Sequence, residues 1–156
     1  MRILEELKNI IRRLDAEGIE YALCGGLAMA VYAMPRSTLD VDLMIEADSL
    51  LKVRRAMQEL GFALDAIPME FHGGEIQICR LCKISPESGE ELILDLLLVT
   101  PEIREAWETR CQVEWREGKL SVVSPRGLVQ LKSLRSSGQD QDDIAYLRSI
   151  SDEDKD

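Results

Sequence analysis

Basic residues are in short supply. The chain of 156 residues has 19 Lys and Arg against 29 Asp and Glu, a formal net charge of −10. Broad, sequence-independent contact with nucleic acid needs a basic surface, so that class is disfavoured, although a local basic pocket is not. Histidine is nearly absent, with His72 alone. Cysteine is sparse too: Cys24, Cys79, Cys82 and Cys111. Cys79 and Cys82 form one CxxC, but in a strand positions i and i+3 face opposite ways and cannot easily share a metal. With no second CxxC, the thiols read as reduced cysteines of a cytosolic protein. Long apolar runs are missing as well. The longest nearly apolar stretch, Tyr21 to Met34, falls short of the roughly 20 residues of a membrane span. The N-terminal residues hold no signal-peptide core. The expectation is a soluble, cytoplasmic protein with no membrane role. There is no GxxxxGK[ST], no GxGxxG, no internal repeat and no heptad run. Aromatics make up only 4%, and Trp107 and Trp115 read as packing rather than base-stacking residues.

What is present begins with 46% hydrophobic residues, enough for one core. Residues 1–150 read as a single domain, with a central part at about 19–100, a hairpin and helices at about 101–150, and an acidic tail at 151–156. Ile3, Leu4, Leu7, Ile10, Ile11 and Leu14 form a helical stripe over residues 2–17, closed by Gly18. Ile19 to Cys24 reads as a strand running into Gly25-Gly26, and Leu27 to Tyr32 as a short helix. Glycines at such a junction let a phosphate approach the backbone N–H groups. After a turn at Met34 to Thr38 comes a strand ending at Ile45. Asp48 or Ser49 should cap the next helix, whose stripe is Leu50, Val53, Met57 and Leu60. A short strand near Phe71, a turn at His72-Gly73-Gly74, a strand over Glu75 to Ile84 and a buried strand over Glu91 to Val99 follow. Pro101 to Arg110 reads as a helix, Cys111 to Ser124 as a hairpin, and Pro125 as the start of a helix carrying Lys132. A last helix should run from about Gln141 to Ile150.

The chemistry gathers at Asp40-Val41-Asp42. At i and i+2 of a strand, both carboxylates point to one face and Val41 to the other. Two anions so close repel unless a cation lies between them, and a hard divalent ion prefers their oxygens. Asp95 is a lone acid inside an apolar strand, costly unless paired or metal-bound.

Gly25-Gly26, then Arg36-x-Thr38, then Asp40-x-Asp42, then Asp95 resembles the nucleotidyltransferase superfamily with the polymerase-beta-like fold. Within it, the stretch resembles the bacterial branch of AbiEii-type toxins, MNT-type proteins and aminoglycoside nucleotidyltransferases. Lys132 followed by Asp140 and Asp143 resembles the AbiEii-type ending, although Gly138 and Gln139 replace its basic residues. The resemblance implies an α+β fold with a mixed central sheet flanked by helices and further C-terminal helices. It also implies transfer of a nucleoside monophosphate from an NTP by two Mg²⁺ ions. Asp40, Asp42 and Asp95 would be catalytic and metal-binding, and Gly25, Gly26, Arg36, Thr38 and Lys132 nucleotide-binding. The acceptor could be tRNA, in a toxin-like role, or protein or a small molecule, with a partner protein possible. The alternative is a nucleotide-binding or interaction module on the same fold without turnover.

Overall fold

The computed structural model describes residues 3–32, 40–66, 68–134 and 144–150. Helix α1 (Ile3–Ala16) buries Leu7, Ile10, Ile11 and Leu14, the stripe expected from their spacing. Gly18 then turns the chain at φ +67°. Strand β1 (Ala22–Cys24) is shorter than expected and passes straight into α2 (Gly25–Val31). Strand β2 (Asp40–Ile45) carries the paired acids. Helix α3 (Leu50–Glu59) follows a single 3-10 turn at Ala47–Ser49. No side-chain cap closes α3, contrary to the expectation for Asp48 or Ser49, because that turn leads into the helix with Ser49 already in helical conformation.

Two short strands, β3 (Leu64–Asp65) and β4 (Met69–Phe71), precede a turn at His72–Gly74. The long hairpin β5 (Ile76–Ile84) and β6 (Glu91–Leu98) comes next. Then come α4 (Arg104–Glu108), the hairpin β7 (Cys111–Trp115) and β8 (Gly118–Val122), α5 (Pro125–Ser133) and a last helical segment over 144–150. Ser124 caps α5 by accepting from the Gly127 N–H at 3.1 Å, and Pro125 takes the first turn.

The eight strands of the described residues join one mixed sheet in the order β3-β5-β6-β2-β1-β8-β7, with β4 also on β5. The pairs β2–β6 and β1–β8 are parallel and the others antiparallel. Alternation gives the two sheet faces different characters. Val41, Leu43, Ile45, Leu81, Leu92, Leu94, Leu96 and Leu98 share one face and are buried. Lys83 lies on that face at its edge, donates to both Glu6 oxygens of α1 at 3.1 and 2.9 Å, and covers the Phe62 ring. That face holds the core under α1 and the end of α3. The opposite face carries Asp40, Asp42, Arg80, Cys82, Ile93 and Asp95. Apart from Asp95, these are half-buried, whereas Met44 and Cys24 on the same face, next to α2, are buried. Beyond them, Leu64 and Ile84 on the same face are exposed. Trp107 packs in the core with the Arg110 guanidinium 4.0 Å from its ring centre, a packing role as expected.

Candidate active site

A single row crosses four strands. Cys24 of β1 stands opposite Asp42 of β2, Asp42 opposite Asp95 of β6, and Asp95 opposite Arg80 of β5. Side chains in register on neighbouring strands point to the same face, so the sheet sets these groups side by side. Asp40 lies one pleat along β2, on the same face, beside Ile93. The three acids singled out in the sequence therefore share one face.

The β1–α2 junction closes in on Asp42. Gly25 has φ +66°, a conformation that favours glycine. A Cβ at Gly25 would lie 2.2 Å from Asp42 Oδ2 and 2.7 Å from its Cγ. The bare backbone is thus a condition for the carboxylate's position. Gly26 follows as the second residue of α2 and is half-buried.

Electrostatics couple the row. Burial pushes the Asp40 carboxyl above its usual range, Asp95 and Glu91 add to that, and Arg80 opposes it. Asp95 is 7% exposed and does not stand alone. Arg80 Nε donates to its Oδ1 at 2.8 Å and an Arg80 terminal nitrogen to its Oδ2 at 2.9 Å. This two-pronged pair is the strong form of an arginine–carboxylate contact. The sequence required Asp95 to be paired or metal-bound but did not point to Arg80 as the partner. Burial, then Glu91, push the Cys82 thiol up, and burial does the same for Cys79. None of the four cysteines forms a disulfide.

Among the other candidates, Lys132 is 6% exposed on α5, so it does not reach past the helix into water. Asp40, Asp42 and Lys132 are each engaged in a polar or electrostatic contact. Arg36 and Thr38, and Asp140 and Asp143 of the C-terminal motif, lie outside the described residues. His72 sits in its expected turn, and its ring hydrogen-bonds the Leu134 carbonyl at the end of α5.

Asp40 and Asp42 offer hard oxygen donors that fit a divalent ion such as Mg²⁺. Among the described residues no group of three or more His, Cys, Asp or Glu is placed to hold a metal ion. Arg80 takes one lone pair from each Asp95 oxygen and leaves the other. Among the described residues no helix is long and apolar enough to cross a membrane.

Known structures share this architecture. A Thermotoga maritima protein classed as a nucleotidyltransferase superposes with TM-score 0.58 at 17% identity, covering 96% of this chain and 92% of its own. The antibiotic-resistance factor ANT(2'')-Ia in solution gives TM-score 0.61 at 12% identity, over 94% of this chain and 82% of its own. The same factor in complex with adenylyl-2''-tobramycin gives 0.51 at 13% identity, over 93% and 96%. No curated protein sequence matches. The mixed sheet with its acid-bearing central strands is the nucleotidyltransferase fold. The sequence matches the aminoglycoside-2''-adenylyltransferase family over residues 6–85, a stretch that includes β1, α2, β2 and Arg80. This chain belongs to that family.

Proposed function

We propose that the chain transfers a nucleoside monophosphate from an NTP to a hydroxyl of a small acceptor, in a reaction that depends on a divalent ion. The observation that carries this reading is the row Asp42–Asp95 on adjacent parallel strands, with Asp42 lodged against Gly25. In the reaction, the acceptor oxygen bonds to the α-phosphorus as the bond to the bridging oxygen breaks and pyrophosphate leaves. Asp40 and Asp42 would hold a Mg²⁺ ion, which when bound supplies positive charge against the phosphates. Asp95, on the neighbouring strand and paired with Arg80 through one lone pair of each oxygen, would be the further ligand for the second ion that the family resemblance implies.

The chain's own groups take the remaining roles. Each Asp95 oxygen keeps a lone pair beyond the one given to Arg80, so Asp95 can accept the hydrogen of the acceptor hydroxyl. Gly25 and Gly26 leave room for the triphosphate against the backbone. Arg36 and Lys132 would serve phosphate charge, and Thr38 would be a further nucleotide contact.

Family membership and the net charge of −10 both favour a small, cationic acceptor of the aminoglycoside kind over RNA. The test is incubation of the protein with each labelled NTP, Mg²⁺ and three acceptors in turn: an aminoglycoside, total tRNA and cell protein. Label should pass to the small molecule. Asp40→Asn and Asp42→Asn should each lower that transfer by a factor on the order of 10² or more while leaving the fold intact. Label on tRNA would instead support a toxin-like role. Nucleotide that is bound but never transferred would support the non-catalytic module.

A further inference from the structure

The sheet face that carries the acids does not end at them. One pleat beyond the row of Asp42, Asp95 and Arg80, Asp40 stands opposite Ile93 of β6, Ile93 opposite Cys82 of β5, and Cys82 opposite Leu64 of β3. Ile84 follows on β5, opposite Glu91. Leu64 and Ile84 are 52% and 51% exposed, and Ile93 and Cys82 are half-buried. We infer that these four side chains form an acceptor shelf, and that the acceptor is an amphipathic amino alcohol, with its hydroxyl at Asp95, its hydrocarbon over Ile93 and Cys82, and its amine at Glu91.

The inference deepens the transferase reading above and rests on it. Strand order fixes the direction. The Gly25-Gly26 junction, where the triphosphate would lie, is at β1, and the sheet runs on from it through β2 and β6 to β5 and β3. In an in-line displacement the attacking oxygen arrives opposite the leaving pyrophosphate. An acceptor that meets Asp95 from that side therefore lies over β6 and β5. Alternation fixes the chemistry. Glu91, Ile93 and Asp95 stand at i, i+2 and i+4 of β6 and share this face, so the two carboxylates are set roughly 13 Å apart. An apolar side chain between two acids suits a ligand that is polar at both ends and apolar between. Glu91 is exposed and accepts a hydrogen bond from the Cys82 thiol, which brings no positive charge of its own. The other face of the same hairpin is closed: Leu92 is 3% exposed, and Lys83 reaches Glu6 of α1 across the Phe62 ring. The hairpin thus leaves apolar surface open on one side only, next to the acids, and contiguous exposed apolar surface marks a binding site.

The experiment uses a matched pair of probes. 8-Amino-1-octanol carries hydrocarbon between its amine and its hydroxyl. Amino-triethylene glycol has the same length, with two methylenes replaced by ether oxygens. Binding of each to the protein with Mg²⁺ and α,β-methylene-ATP is read by ligand-observed NMR titration, and transfer is read separately with labelled ATP. Wild type should bind the hydrocarbon probe about tenfold more tightly. Ile93→Ser should shrink that gap to about twofold. Ile84→Ser, at an exposed position, should shrink it as well and keeps the experiment decisive if Ile93→Ser folds poorly. Glu91→Gln should weaken both probes and leave the gap. Equal binding of the two probes in wild type, binding of neither, or a gap that survives both serine variants overturns the shelf and leaves the transferase reading standing. The expected gap with no transfer of label to 8-amino-1-octanol or to an aminoglycoside overturns the transferase reading, and the acceptor role of the shelf with it.

Discussion

At Gly25 two constraints meet in one residue. Its φ of +66° strains any side chain, and its Cα faces the Asp42 carboxylate at a distance that leaves no room for a methyl group. Gly25→Ala should cost about 1–3 kcal/mol through the backbone alone. It should also turn the Asp42 carboxylate away. Nucleotide transfer in Gly25→Ala should therefore fall about as far as in Asp42→Asn, with a lowered melting temperature; transfer at the wild-type rate would show that Asp42 does not depend on this contact. Asp40 gives a prediction of opposite sign. Its carboxyl is pushed up in the fold, first by burial and then by Asp95 and Glu91. Its contribution to stability is then fully present below the unfolded carboxylate range and is lost as pH rises through its own raised value. Without divalent ions, Asp40→Asn should melt higher than wild type at about pH 7, and the gap should close at about pH 3. Equal melting temperatures at neutral pH would contradict this. Both acids were legible in the sequence because Asp-x-Asp in a strand dictates a shared face. The Gly25 contact was not, because it depends on how tightly α2 folds back over β2.

Register is what turns separate residues into a site, and register belongs to elements. The β5–β6 hairpin closes between Ile84 and Glu91. Arg80 lies four residues before Ile84 and Asp95 four after Glu91, so the hairpin must set them opposite one another. Both strands and the turn between them were legible in the sequence. The pairing was missed because Arg80 was read only as the filling of Cys79-x-x-Cys82, and the hairpin was not counted outward from its turn. Breaking the pair should be costly in proportion to burial. Loss of one partner of a fully buried pair costs about 3–5 kcal/mol. Arg80 is about one-third exposed, so Arg80→Met should cost less, about 1–3 kcal/mol after screening by solvent. The double variant with Asp95→Asn should recover most of that loss in urea denaturation. No recovery would mean that the arginine stabilises the hairpin by packing alone. A second element-scale effect lies at the α4–α5 contact. A Cβ at Gly127 would meet Val123 Cγ1 at 2.6 Å and the Ala106 backbone at 3.3 Å. Gly127→Ala normally favours a helix by up to about 1 kcal/mol, but here overpacking should dominate and destabilise by about 1–3 kcal/mol. Spacing along one helix cannot show which neighbour presses against it, so the sequence carried no sign of this contact.

For the molecule as a whole, charge is the property most plainly written in the composition. The strand order is the least, because the parallel β1–β8 contact joins residues about a hundred positions apart. The two come together at the sheet face that carries the acids, in a chain of net charge −10. A field of that sign concentrates cations near the site and repels polyanions. It acts over about 10 Å at 0.1 M salt and over shorter distances as salt rises. If the acceptor is a small polycation, its KM should rise several-fold between about 0.02 and 0.2 M monovalent salt, with kcat nearly unchanged, because screening weakens capture without touching the pair of acids at the reacting atoms. A nucleic-acid acceptor would respond differently. Here the protein's own repulsion is screened as salt rises, while any phosphate contacts made by Lys132 or Arg36 are weakened, and the two effects oppose each other. The salt series thus separates the acceptor classes without knowledge of the acceptor's identity. A KM for the cationic acceptor that stays flat over that range would mean that the acidic surface has no part in its capture.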